Sequence, residues 1–158
     1  MKNRILAVLL CCVSVFLSAC GDLTFENKGN VNFERFQTVF VLPIQIDGIF
    51  AFSSANAAED AYQYLVDELK AESGFRKVVS TVGSATDTDL SVWVSVREDY
   101  DYESDTITYY AQTKFLLTDS EGTELYSGQM SDTSDDLESA VYDTLSEVTH
   151  FFILPYRI

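Results

Sequence analysis

The spacing of apolar and polar positions changes several times along this chain, and each change marks an element. Lys2 and Arg4 precede an apolar run over residues 5–17, broken only by Ser14. That run is shorter than the about 20 apolar residues of a transmembrane helix, and it has the length of a secretory signal's apolar region. Residues 21–34 are polar and turn-rich and read as a short tether. Residues 36–46, FQTVFVLPIQI, form a β-branched and aromatic run suited to a buried strand. Pro43 cannot donate to a ladder and belongs at an edge or near a strand end.

A helical period follows. Asn56 and Glu59 have the spacing of a capping box, and Ala58, Ala61, Tyr62, Leu65 and Leu69 make one apolar face up to a stop at Gly74. Residues 75–80 read as a short strand. The period then becomes two. Leu90, Val92, Val94 and Val96 point one way, and Ser91, Trp93, Ser95 and Arg97 the other. Ile107, Tyr109, Ala111, Phe115 and Leu117 share a face of the next strand, with Tyr110, Gln112, Lys114 and Leu116 on its reverse. Residues 119–122, DSEG, predict a hairpin loop with Gly122 at a positive φ, and residues 123–129 a returning strand. Acids in 131–136 suit a helix start. Leu137, Val141, Leu145, Val148 and Phe152 continue as a second helical stripe, and 152–158 could add a last strand.

The order β-α-β-β-β-β-α predicts an α+β two-layer sandwich. It has a mostly antiparallel sheet of about five strands, with both helices on one face. The expected organisation is a leader over 1–19, Cys20 and a tether over 20–35, and one globular domain over 36–158. That order, with the opening strand VFVLPI at 39–44, is similar to small periplasmic domains of penicillin-binding-protein activator lipoproteins and of the amino-terminal domain of TolB. The activators carry a long tether to cross the peptidoglycan, whereas the one expected here is short.

The apolar run ends in Leu17-Ser18-Ala19-Cys20. This ending resembles the lipobox of bacterial lipoproteins, and the resemblance covers about the first 21 residues. It implies cleavage before Cys20, acylation of the new amino terminus and a diacylglycerol on the Cys20 sulfur. Cys11 and Cys12 would leave with the leader, and a lone cysteine cannot form an internal disulfide. Several acyl chains anchor stably where one binds only marginally. In that family an Asp directly after the cysteine retains the protein in the inner membrane. Gly21 followed by Asp22 therefore implies an outer-membrane location facing the periplasm. An ordinary secreted chain or a membrane helix is the alternative.

Charge narrows the partners. The chain has 25 acids and 10 bases; losing Lys2 and Arg4 with the leader leaves 8 bases and a net charge of −17. That balance repels nucleic-acid phosphates and anionic lipid heads, so the expected membrane attachment is the lipid itself. No nucleic-acid partner and no cofactor are expected.

Candidate chemistry is sparse. His150 is the sole histidine, and the sequence has no G-x-S-x-G, G-x-G-x-x-G or P-loop. Zinc and copper sites want His and Cys ligands. Asp99, Asp101, Glu103 and Asp105 alternate like early calcium-loop ligands. The EF-hand's Gly and Glu positions, however, hold Ser104 and Tyr110. The plainer reading is a charged strand connection, with a cation site as the alternative.

Two surfaces are the stronger candidates. If the helices cover the Val92 face, then Trp93, Tyr110, Leu116 and Tyr126 are expected on the open face as a protein-docking patch. Ile49, Phe50 and Phe52, in the loop after the first strand, form a second patch, or else a staple for the first helix. The sequence thus predicts a non-enzymatic, lipid-anchored envelope module that binds a protein partner. A carboxylate-dependent hydrolase of envelope glycans and a cation-binding structural lipoprotein are the alternatives.

Overall fold

In the computed structural model the chain is described over residues 24–27 (main chain only), 36–82 and 86–153. The strands are β1 (Thr24–Asn27), β2 (Thr38–Val41), β3 (Gln45–Gly48), β4 (Lys77–Val79), β5 (Thr88–Asp101), β6 (Thr106–Asp119) and β7 (Glu124–Ser134). The helices are α1 (Ala57–Glu72) and α2 (Leu137–Phe151), with a 3-10 turn at Ile49–Phe52. The result is an α+β sandwich: one seven-stranded sheet in the order β1-β7-β6-β5-β2-β4, with β3 also against β5.

The sheet differs from the sequence expectation in three ways. First, Thr24–Asn27, inside the stretch read as tether, pairs antiparallel with β7, from Thr24 opposite Gln129 to Asn27 opposite Tyr126. Second, the single strand expected over 36–46 is two. β2 and β3 lie along β5 in succession, Val41 beside Leu90 and Gln45 beside Trp93. Leu42 N–H still donates to Leu90 O at 2.9 Å. Pro43, which has no N–H, sits in the break. Third, β2, β3 and β4 join in parallel, because β2–α1–β4 is a crossover unit whose strands must run the same way. The mostly antiparallel part is β5, β6, β7 and β1. Phe152 and Ile153 end α2, and the rest of the expected last strand, 154–158, lies outside the described residues.

Helix boundaries also follow local chemistry. Asn56 makes no side-chain cap on α1; its carbonyl accepts from Asp60 N–H at 2.8 Å instead. The capping box is therefore not formed, and the buried stripe starts at Ala57, not Ala58, running through Ala61, Leu65, Val66 and Leu69. α2 is capped as its acids suggest: the Asp136 carboxylate accepts from Ser139 N–H at 2.8 Å, which holds its pKa below the ordinary aspartate value. Residues 131–134, read as a helix start, are the end of β7.

Both helices bury their stripes against the face carrying Leu90, Val92, Val94 and Val96, with Ala111, Phe115 and Leu117 beside them. Each large apolar side chain fully buried here contributes about 1.5–3 kcal/mol. Of the polar contacts that cross this layer, one is fully buried. The Thr113 and Thr144 hydroxyls are buried and 2.7 Å apart, and the Thr144 hydroxyl donates to Val141 O at 2.8 Å. Since that proton is used, Thr113 is the donor of the pair.

Candidate functional site

The face of the sheet opposite the helices is set by strand alternation. Trp93 lies opposite Lys114, which lies opposite Gln129, and Gln45 and Thr24 extend the row to both sides. Leu116 is two residues beyond Lys114 on β6, between Ser91 and Ser127, diagonal to Trp93 and within reach of its ring. Tyr110 is four residues from Lys114 on β6, in the other direction, and faces Arg97. The Arg97 guanidinium sits 4.5 Å from the Tyr110 ring centre, a cation–π contact worth about 0.5–1 kcal/mol at an exposed site. Trp93, Tyr110 and Leu116 are each half-buried.

Tyr126 is not on this face. It pairs with Leu117, a residue of the helix-covered layer, and its ring lies 5.1 Å from that of Phe151 on α2. The cause is a bulge. Leu117 pairs with Tyr126 but Thr118 pairs with Glu124, so Leu125 is an extra residue on β7. An extra residue breaks the two-residue alternation, which the sequence does not announce. Tyr126 belongs instead to an aromatic cluster in which the Phe115 ring lies 5.2 Å from Phe151 and 5.4 Å from Phe152. The open-face patch is therefore Trp93 with Leu116, set among Lys114, Gln129 and serines, with Tyr110 apart under Arg97.

The loop residues divide as well. Phe50 is 2% exposed and meets Tyr142 of α2 edge-on at 6.3 Å. It fastens the turn to the second helix, whereas the staple reading places it at the entry of the first. Ile49 packs against the core from a half-buried position. Phe52 is 88% exposed. The turn is possible because Gly48 has φ +86°, and a Cβ there would meet the Val96 carbonyl oxygen.

The acidic segment is the tip of a hairpin. β5 and β6 pair rung for rung out to Asp101 opposite Thr106, leaving a four-residue loop. The Asp101 carboxylate accepts from Glu103 N–H at 2.8 Å and from the Ser104 hydroxyl at 2.6 Å. These bonds, the Ser104 hydroxyl first, lower its pKa. Asp105, at φ 55°, accepts from the Tyr100 hydroxyl. The two carboxylates are thus engaged within the loop. Among the described residues, no group of three or more His, Cys, Asp or Glu comes together as a metal site.

His150 is exposed on α2, 3.9 Å from Glu147. Cys20 lies outside the described residues. No helix among the described residues is long and apolar enough to cross a membrane.

No protein-family model matches the chain, and no curated protein sequence matches it. Solved structures do resemble it in fold. One is the PelC dodecamer from Paraburkholderia phytofirmans, at 16% identity and a TM-score of 0.61, covering 84% of this chain and 97% of that one. A variant dodecamer of the same protein gives 17% identity and a TM-score of 0.59, over 87% and 99% of the two chains. A third is protein XCC0632 from Xanthomonas campestris, of family DUF330, at 12% identity and a TM-score of 0.53, over 85% and 93%. At these identities the likeness is one of fold.

Proposed function

We propose that the protein is a lipid-anchored module of the bacterial cell envelope, held at the outer membrane through Cys20, that binds a protein partner and performs no catalysis. The observation that carries the binding reading is the sheet face bearing Trp93 and Leu116, which neither helix covers. An aromatic and an aliphatic side chain on a flat, polar-rimmed surface have the make-up of an interface anchor. The anchor itself rests on the sequence pattern, residues 17–20 behind a basic and then apolar amino terminus.

In-cell photocrosslinking tests the face. A crosslinking residue in place of Trp93 should give a discrete adduct, while one in place of Glu72, exposed on α1, should not. Absence of an adduct in cells where the protein is lipidated and folded would remove the face from consideration. Globomycin-sensitive processing, read as a mass shift at Cys20, tests the anchor separately.

Self-assembly is a second reading, favoured by one observation: the two PelC structures that match over nearly their whole chains are dodecamers. In this reading the partner at the Trp93 face is another copy of the chain. Native mass spectrometry of the lipidated protein in detergent distinguishes a ring or smaller oligomer from a monomer awaiting a different partner.

A further inference from the structure

Large exposed apolar side chains gather at one end of this domain. β5 and β6 outrun their neighbours there: β3 stops beside Val96 and β7 stops at Ser134, opposite Tyr109. Beyond that level the two strands pair only with each other among the described residues, as a ribbon of three rungs, Asp99 opposite Thr108 to Asp101 opposite Thr106. At about 3.4 Å per residue the ribbon adds roughly 10 Å before its loop. A lone two-stranded ribbon is marginal in water.

The ribbon has two unlike sides. Tyr100 faces Ile107 across it, on the side continuous with Val96 and Ala111; Asp99 faces Thr108 and Asp101 faces Thr106 on the other. Tyr100 is 40% exposed, Ile107 43% and Tyr102, in the loop, 89%. The Tyr100 and Tyr102 rings pack edge-on at 4.8 Å. Phe52 is at the same end of the sheet, because the turn that holds it follows directly from Gly48 opposite Val96. Val82 is also exposed, but it lies in the β4–β5 connection, away from this end.

The chain's start bears on what covers this end. β1 is antiparallel to β7, so Thr24 is its residue nearest the ribbon. Cys20 is only four residues upstream, and four residues span at most about 14 Å. A lipid on Cys20 would keep this part of the domain against a bilayer.

We infer that the β5–β6 ribbon lies in the lipid headgroup region, with Tyr100, Tyr102, Ile107 and Phe52 in contact with a zwitterionic membrane surface. The inference rests on the Cys20 anchor proposed above. Tyrosine suits this place because its ring enters the interface while its hydroxyl stays hydrated. Three acids fit this arrangement, and Glu98, on the Tyr100 side, sits nearer the domain opposite Tyr109. Asp99 and Asp101 project from the side opposite Tyr100 and Ile107, and the Asp105 carboxylate is engaged by the Tyr100 hydroxyl. A strongly anionic surface would repel the ribbon, which places the occupant among neutral lipids.

Bromolipid quenching tests this on the full lipidated protein. Trp93 is the sole tryptophan, so Trp93→Phe with Tyr102→Trp makes a single reporter at the tip. Trp93→Phe with Ser120→Trp places one in the β6–β7 turn, at the opposite end. The proteins are reconstituted in phosphatidylethanolamine–phosphatidylcholine vesicles with bromine near the top of the acyl chains.

The expected result is loss of at least half the emission at position 102, with a blue shift, and less than a tenth at position 120. Co-flotation with unquenched emission at 102 overturns the ribbon contact and leaves the anchor standing. A blue shift at 102 without quenching also overturns it and assigns the ribbon to a protein contact. Failure to co-float with vesicles removes the anchor, and the ribbon inference falls with it.

Discussion

The buried threonine pair between β6 and α2 allows a prediction whose sign depends on which residue is changed. Thr144 donates to Val141 O and accepts from Thr113, and both side chains are shielded from water. Thr113→Val removes a donor. The Thr144 hydroxyl keeps its own acceptor, so the cost is one hydrogen bond, about 1 kcal/mol. Thr144→Val removes the acceptor and strands the Thr113 proton in an apolar layer, at about 1–3 kcal/mol. Changing both to Val leaves no stranded group and returns the cost to about 1 kcal/mol or less. The coupling in a double-mutant cycle is then on the order of 2 kcal/mol. Urea unfolding of the four proteins, followed by far-ultraviolet circular dichroism at constant m-value, measures it. Additive single effects within about 0.5 kcal/mol, or Thr113→Val costing more than Thr144→Val, would refute the donor assignment.

Other expectations follow from single positions. Gly48→Ala should destabilise by about 3 kcal/mol or more, combining a positive-φ penalty of about 1–2 kcal/mol with displacement of the Val96 carbonyl; a thermal melt reads it, and an unchanged melting temperature would show that β3 can shift freely. Phe50→Ala should cost about 3–5 kcal/mol and Phe52→Ala less than about 0.5 kcal/mol, measured by the same melts, because one ring is core and the other solvent-facing. Asp87 accepts from Gln37 N–H at 3.2 Å and Thr38 N–H at 3.1 Å, and its pKa is lowered, by the Thr38 hydroxyl first and then by these N–H groups. A depressed folded pKa means its contribution is present above the ordinary aspartate value and is lost as pH falls through the folded one. Wild type should therefore lose more stability than Asp87→Asn between about pH 5 and pH 2. Equal slopes in pH-dependent melts would exclude Asp87 from the acid response.

The parts of the fold that could be read in the sequence are those where period and burial agree. Val92, Val94 and Val96 alternate cleanly in the sequence and are buried in the structure, and the α2 stripe from Val141 to Phe152 does the same. The misreadings arise where a local rule was overridden by pairing at a distance. The residues Thr24–Asn27 look like linker until β7 offers them a partner roughly a hundred residues later. Tyr126 fits either face in isolation, and only the extra Leu125 opposite the Leu117–Thr118 step decides it. Asn56 has cap chemistry, but its backbone at φ −116° and ψ 11° does not aim the side chain at the first turn. The candidate surface was partly readable for the same reason. Trp93 and Leu116 lie on long regular strands whose faces are predictable, whereas the division of Phe50 from Phe52 depends on the 3-10 turn after Gly48.

The pairing of β1 also has a consequence for how the domain assembles. The β5–β6 hairpin closes a four-residue loop and gains its rungs from nearest neighbours along the chain; contacts of that kind form early. Thr24 and Gln129 are brought together only by closing a loop of roughly a hundred residues, whose entropy cost must be met before any rung is gained. β1 therefore joins a sheet that already exists, and among the described residues it holds by four rungs on one side only. Among the strands it should be the last to form and the first to exchange its amide protons with water. The strand that comes first among the described residues is the one whose place in the fold is decided at the end.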